Sequence, residues 1–457
     1  MARDTVDQTP IESRDDIVAW MSTAGRPEAD WRIGTEHEKF GFHKADLSPV
    51  AYGGPKGIEK LLRGMEGLLG WEPILDAERI IGLGDPVGGG AISIEPGGQF
   101  ELSGAPLATL HETEREVNAH LAQVHEISEP LGIGFLGLGA SPKWTRDETP
   151  IMPKSRYAIM TNYMPKVGSL GLDMMYRTAT VQVNLDFRDE ADMVEKMRVS
   201  LALQPVATAL FANSPFTDGK PNGFLSWRGE IWRDTDNDRS GGLPRAFEPG
   251  FGFASYVDWA LDVPMYFVKR GDTYTNVAGI PFRQFLDKGL PDLLPGVRPT
   301  LGDWANHLGT LFPDVRLKRY LEMRGADAGS RDCLVALPAL WVGLLYDSAS
   351  QDAAFQLVRD WTAEERLALR DGVPKLGLKT PFRQGTVRDI ARDMLALARG
   401  GLARRAQRDG EGRDETRFLD VLDEIVASGL TPAERLLERY EGDWNGSVDP
   451  VFTEFRF

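Results

Sequence analysis

Apolar and polar residues alternate along this chain in two rhythms, and the switch between them marks out the elements. Residues 32–42 alternate as a strand does, with Glu36, His37 and Glu38 set inside an apolar frame. Residues 132–139 and 178–187 repeat that period of two, and 262–270 reads as a further strand. Over 56–69, Leu61, Leu62, Met65, Leu68 and Leu69 instead fall on one side of a helix. Residues 12–24 and 191–213 also read as helices, and Pro106, at an early helical position, starts a long one to about Glu129. The stretch 82–104 gives short β pieces around a glycine turn. No period holds from 214 to 256, which predicts loops packed over a site. Arg316 to Arg324 leads into a largely helical C-terminal third, where capping boxes at Thr362 to Glu365 and Thr431 to Glu434 mark two helix starts.

Strands therefore gather in residues 30–330 and helices in 331–457, with no repeat and no low-complexity linker. That distribution predicts an α+β fold with a mostly antiparallel sheet. A chain of 457 residues is long for one core, so both two subdomains and one large unit are open on length alone. The single-unit reading, 1–457, is the one adopted.

Charge narrows the partners. Fifty-two Lys and Arg against 68 Asp and Glu give −16, which argues against general binding to nucleic-acid phosphates. One cysteine, Cys333, excludes an intrachain disulfide and fits a reducing compartment. The N-terminal residues lack the apolar core of a signal peptide and carry acids that a transit peptide avoids. The longest apolar run, Cys333 to Tyr346, contains Pro338 and is too short to span a bilayer. A soluble, cytoplasmic protein without membrane partners is expected.

The chemistry lies in acids placed on strands. In extended chain Glu36 and Glu38 share a face, at a cost unless the face is solvated or a cation sits between them. Glu95 and Glu101, with Gln99 two residues before the latter, form a second set. Gln182 with Asn184 is the third, and Glu322 with Arg324 the fourth. Four such sets predict a concave acidic face suited to a hard cation such as Mg²⁺, which takes oxygen ligands. Lys154, Arg156, Lys166, Arg177, Arg228, Arg283, Arg316, Lys318 and Arg319 supply cations for carboxylate or phosphate, although any one alone reads as a solvated charge.

Other motifs exclude more than they support. Gly132 to Gly137 matches Gly-x-Gly-x-x-Gly, but no helix follows, so it reads as a strand packed closely against another element. The turns at Gly88-Gly89-Gly90 and Gly97-Gly98 lack the Lys-Ser/Thr of a P-loop but leave room for a tight turn near phosphates. His111, His120 and His125 lack the spacing of a zinc pair and read as structural, and Cys333 reads as a core thiol.

Five segments carry a resemblance. They are Arg-Ile-Gly-Thr-Glu-His-Glu-Lys-Phe-Gly-Phe from Arg32, Ser-Ile-Glu-Pro-Gly-Gly-Gln-Phe-Glu-Leu-Ser-Gly from Ser93, and Tyr-Met-Pro-Lys-Val-Gly-Ser-Leu-Gly-Leu-Asp-Met-Met from Tyr163. Thr-Val-Gln-Val-Asn-Leu-Asp-Phe from Thr180 and Arg-Leu-Lys-Arg-Tyr-Leu-Glu-Met-Arg-Gly-Ala-Asp from Arg316 complete the set. Together they resemble the plant-type glutamate–cysteine ligases, a family also found in proteobacteria. The resemblance implies a glutamine-synthetase-like, curved antiparallel sheet forming a bowl covered by helices. It implies ligation of the glutamate γ-carboxyl to the cysteine amine through γ-glutamyl phosphate, with ATP as co-substrate and Mg²⁺. The metal shell implied is Glu36, Glu38, Glu95, Glu101, Gln182, Asn184 and Glu322. Arg324 would stabilise the transferring phosphoryl group beside Glu38, and Arg156, Arg228, Tyr266 and Thr180 would form the glutamate pocket.

The resemblance has one departure. Plant members carry cysteine pairs that act as a redox switch. Here Glu114 stands at one matching position with Cys333 unpaired, and Val277 and Asp292 stand at the other pair, so that switch is absent. A proteobacterial member, monomeric or weakly dimeric and acting on glutamate, cysteine and ATP, is expected. A ligase with another amine acceptor is the alternative on the same scaffold. A glycoside hydrolase using paired carboxylates, or a non-catalytic metal-binding protein, is the competing class.

Overall fold

A computed structural model describes residues 5–457. Nine strands form one sheet: β1 Ile33–His43, β2 Glu72–Asp76, β3 Arg79–Gly84, β4 Ala91–Ile94, β5 Phe100–Ser103, β6 Ile133–Leu136, β7 Thr180–Leu185, β8 Val315–Leu317 and β9 Leu321–Asp327. Their order is β8-β9-β7-β1-β5-β4-β3-β2, with β6 pairing the far end of β1. Every pairing in this sheet is antiparallel, and the α+β class expected from the sequence is the one adopted.

The helices that matter to the site are α1 Leu110–Leu131, α2 Ser155–Tyr163, α3 Glu190–Leu210, α4 Trp227–Ile231, α5 Arg331–Leu345, α6 Ala363–Leu376 and α7 Val387–Arg405. Helix α5 is apolar all round because it is buried all round: Cys333 through Leu345 are buried, packed against β7, α1 and α7. Among the described residues no single helix is long and apolar enough to cross a membrane.

Several boundaries differ from the sequence pattern, each for a local reason. Helix α1 begins at Leu110 rather than at Pro106, because Thr109 and Glu112 form a reciprocal capping box that fixes the start. The alternating stretch 132–139 contributes only four strand residues. Gly134 and Gly137 there face the Phe42 ring and the Gly329 carbonyl, where a Cβ would come within 2.4 and 2.2 Å. This is the close packing expected for the glycine motif. Residues 316–324 form the β8–β9 hairpin, and the helical part starts only after it. The region 214–256 is mostly irregular but holds α4. Strand 262–270 shortens to Phe267–Arg270 and pairs with Thr273–Asn276 outside the main sheet.

Helices α5 and α7 cross with backbones in contact. A Cβ on Gly401 would come within 1.9 Å of the Gly343 carbonyl oxygen, and one on Gly343 within 2.3 Å of Ala398 O. Gly401→Ala is therefore expected to push the helices apart and lower stability by about 2–3 kcal/mol. Urea unfolding should show a lower midpoint at unchanged slope.

Candidate active site

The register of four adjacent strands assembles the acids. Asn184 on β7 stands opposite Glu322 on β9, and Gln182 opposite Glu36 on β1. Glu38 stands opposite Glu101 on β5. Because side chains alternate with period two, these matched pairs all fall on one face of the sheet. Glu95 follows β4 in the turn to β5. That turn is tight because Gly98 adopts φ +86° and because a Cβ on Gly97 would lie 2.1 Å from the Tyr176 carbonyl oxygen.

A cleft opens over this face. Of the residues assigned to the metal shell, to catalysis or to the glutamate pocket, Glu36, Glu38, Glu95, Glu101, Gln182, Thr180, Arg156, Arg228 and Arg324 line it together, joined by Gln99 and Arg316. Three do not. Glu322 lies below the lining, wholly buried. Asn184 turns its amide to Glu36, with Nδ2 donating to Oε1 at 2.8 Å. Tyr266, expected in a substrate pocket, is also away from the cleft. Its ring packs under the Arg239 guanidinium, 3.9 Å from the centroid, and its hydroxyl meets Met164 Sδ at 3.6 Å. Among the other candidate cations, Arg177 is paired with Asp173 and Asp218, Arg283 with Asp262, and Arg319 with backbone oxygens at Trp20 and Thr23.

The carboxylates are held unequally. Glu38 Oε2 accepts from Thr180 N at 3.0 Å, and Glu101 accepts from Ser93 Oγ at 2.5 Å. Burial, with repulsion from Glu101 and Glu95, pushes Glu38 well above the usual carboxylate range. Glu36 is raised by burial and by Glu322 and Glu101. Glu322 behaves oppositely. Burial alone would raise it, but Arg316, Lys318 and Arg324 outweigh that and hold it well below. Arg316 Nη2 and Nε reach its two oxygens at 2.7 and 3.1 Å, Lys318 Nζ lies 2.9 Å from Oε2, and Arg324 Nη1 completes the set.

A bulge aims Arg324. The β9–β7 register shifts between Met323 and Ala326, so that Arg324 and Gly325 together occupy the place opposite Gln182. The freed carbonyls find other donors: Arg228 Nη2 to Arg324 O at 2.8 Å and Thr208 Oγ1 to Gly325 O at 2.8 Å.

Three buried acceptor oxygens on this face have no hydrogen-bond partner among the described residues: Glu95 Oε1, Gln182 Oε1 and Asn184 Oδ1. Buried acceptors without donors are costly unless a cation or water completes them. As they stand, however, no three carboxylates or imidazoles among the described residues are close enough to share one ion.

Sequence patterns missed part of the lining. Trp232 and Phe312, with ring centroids 5.6 Å apart, come from irregular segments without period. Met174 and Met175 lie within a segment that carried the resemblance, but no rule of spacing assigned them to the cleft.

Known proteins resemble this chain in sequence and in fold. Residues 32–454 match the model of glutamate–cysteine ligase family 2. The chain is 58% identical over 445 residues to the chloroplastic glutamate–cysteine ligase of Arabidopsis thaliana, covering 97% of this chain and 83% of that protein. It is 56% identical over 454 residues to chloroplastic glutamate–cysteine ligase B of Oryza sativa subsp. japonica, covering 99% and 89%. A crystal structure of glutamate–cysteine ligase from Francisella tularensis in complex with AMP superposes with a TM-score of 0.56 at 11% identity, covering 93% of this chain and 89% of that one, and so shares the fold. The relatives from plants carry the family but not the narrower expectation of a proteobacterial member. They also overturn the expectation of a cytoplasmic protein, since these relatives are chloroplastic. A single cysteine does not distinguish one reducing compartment from another. On the match to 423 of its residues and on identities well above half, the chain belongs to the plant-type glutamate–cysteine ligase family.

Proposed function

We propose that the cleft joins the γ-carboxyl of L-glutamate to the amine of L-cysteine at the expense of ATP, the first step of glutathione biosynthesis. One observation carries the reading: an acidic sheet face is bordered by Arg156, Arg228, Arg316 and Arg324 in a single cleft. Two negative reactants must meet there. A γ-carboxylate oxygen of glutamate bonds to the γ-phosphorus of ATP, the bond to the bridging oxygen breaks, and ADP leaves. The cysteine nitrogen then bonds to the acyl carbon of γ-glutamyl phosphate, phosphate leaves, and the amine proton passes to solvent or a nearby base. Fixed guanidinium groups lower the charge barrier of the first step.

Mg²⁺ fits the face. Glu36, Glu38, Glu95, Glu101 and Gln182 would hold it, no more than two of the carboxylates to any one ion, with Asn184 at the margin. The crowding that raises Glu36 and Glu38, and the unpartnered oxygens of Glu95 and Gln182, are relieved by a divalent cation. Bound magnesium supplies neutralisation of phosphoryl charge. Glu322 would have to release three cations to join that shell, so its first duty is to hold Arg316 and Arg324 at the cleft wall. Arg324, aimed by the bulge, faces the transferring phosphoryl group near Glu38. Arg156, Arg228 and Thr180 hold glutamate, whereas Tyr266 supports that wall only from a distance, through Arg239. The whole chain acts as one catalytic unit, monomeric or weakly dimeric, without nucleic-acid or membrane partners. Its net charge of −16 supports the exclusion of polyanions.

Mixing protein, glutamate, cysteine, ATP and Mg²⁺ should release ADP only when cysteine is present, and chelation should abolish release until Mg²⁺ is restored. A panel of other amines at fixed glutamate separates cysteine from a different acceptor. Glu36→Gln and Glu95→Gln should each lower turnover by at least about 10²-fold and raise the Mg²⁺ needed for half-activity. Unaltered Mg²⁺ dependence in both would remove them from the shell. Arg316→Met should cost about 3 kcal/mol in urea unfolding, because it takes the two-pronged partner from buried Glu322.

A further inference from the structure

Helix α4, Trp227–Ile231, makes barely more than one turn, too little to fix its own direction, and it lies in the irregular region 214–256. Yet its second residue is Arg228, which lines the cleft while only 2% exposed. Something outside the helix must aim that side chain. Ahead of α4, Leu225 N and Ser226 N both donate to Pro374 O, at 2.8 and 2.9 Å. The rest of the hold comes from one buried carboxylate.

Asp327, the last residue of β9, is wholly buried and does not line the cleft. Its Oδ2 accepts from Asn213 N at 2.8 Å and from Ser214 Oγ at 2.7 Å, and its Oδ1 accepts from Ser226 Oγ at 2.9 Å. The two hydroxyls pass the contact on. Ser214 Oγ accepts from Arg228 N at 3.2 Å, and Ser226 Oγ caps α4 by accepting from Gly229 N at 3.0 Å. Each serine spends its one proton on Asp327 and turns a lone pair to α4, so an acceptor-only carboxylate orients both. Space for it is reserved at position 139, a glycine, where a Cβ would come within 2.2 Å of Asp327 Cγ. Charge acts in the same sense: burial lowers Arg228 to about 10, and Asp327 is foremost among the carboxylates that oppose this. The guanidinium is fixed as well, with Nη2 donating to Arg324 O at 2.8 Å. Nη1 has no hydrogen-bond partner among the described residues and is a donor left for the carboxylate of a ligand.

We propose that Asp327 is a positioning residue for glutamate: through Ser214 and Ser226 it sets the place of α4 and so presents Arg228 Nη1 to the substrate carboxylate. This rests on the assignment of Arg228 to the glutamate pocket above. Asp327 touches no reacting atom and acts through Arg228 alone.

Calorimetric titration of glutamate, and separately of a non-hydrolysable ATP analogue, into Asp327→Asn, Arg228→Met and the double variant tests this. An amide at 327 can accept on the Ser214 side or on the Ser226 side but not on both, so one relay is lost. In Asp327→Asn the Kd for glutamate should rise by about 10-fold, while that for the ATP analogue stays within about twofold. Adding Asp327→Asn to Arg228→Met should weaken glutamate by less than about twofold further, because the second residue acts through the first. Ser214→Ala and Ser226→Ala each remove one relay and keep the carboxylate. They should raise the glutamate Kd by about threefold, and they decide the question if Asp327→Asn does not fold. An unchanged glutamate Kd in folded Asp327→Asn or in both serine variants overturns the proposal. So does an equal loss for both ligands, or full additivity with Arg228→Met. An unchanged glutamate Kd in Arg228→Met removes Arg228 from the glutamate pocket and takes the proposal with it. Binding is read without turnover, so absence of cysteine-dependent ADP release from the unmodified chain counts against the ligase reading alone.

Discussion

Like charges crowded on one sheet face set the terms for the rest of this structure. Antiparallel pairing places Glu36, Glu38 and Glu101 within two adjacent strands, and Glu322 two strands away on the same face. Removing such groups from water costs several kcal/mol each unless something cationic compensates. The fold answers in two ways. At Glu322 it supplies Arg316, Lys318 and Arg324, and the carboxylate stays ionised inside the protein. At Glu36 and Glu38 it supplies too little positive charge, and the side chains face a cleft instead.

That asymmetry links stability to chemistry. The Glu322 cluster ties the β8–β9 hairpin together from within, since Arg316 and Glu322 are register partners across it. The bulge after Met323 then sends Arg324 back to the same carboxylate while leaving it on the cleft wall. One ion cluster thus fixes both a hairpin and the direction of the cation best placed to meet a phosphoryl group. The under-compensated acids beside it form the part of the face on which an external cation gains most.

Glu114 on α1 is paired with Arg417 and lies 3.7 Å from Arg331 at the start of α5. Cys333 is 4% exposed, and burial raises its thiol. Ion pairs from Glu114 thus join α1 to the start of α5 and to Arg417.

Much of this was legible in the chain. Alternation located β1 and β7, and the same period assigned Glu36, Glu38, Gln182 and Asn184 to a shared face, because a strand leaves side chains only two directions. The capping boxes at Thr362 and Thr431 are both formed, since each is a purely local hydrogen-bond exchange. Long motifs identified the family, because residues that surround a reaction are constrained together. Tertiary structure alone decided the rest. That Glu322 is taken up by three cations, that Tyr266 stands away from the cleft, and that Trp232 and Phe312 form its wall depend on which non-periodic segments come into contact. The bulge at Arg324 and the donors gathered on Asp327 are of the same kind. Sequence fixes the face a strand residue points to, but what it meets there is set by partners hundreds of residues away, and only closure of the chain brings those together.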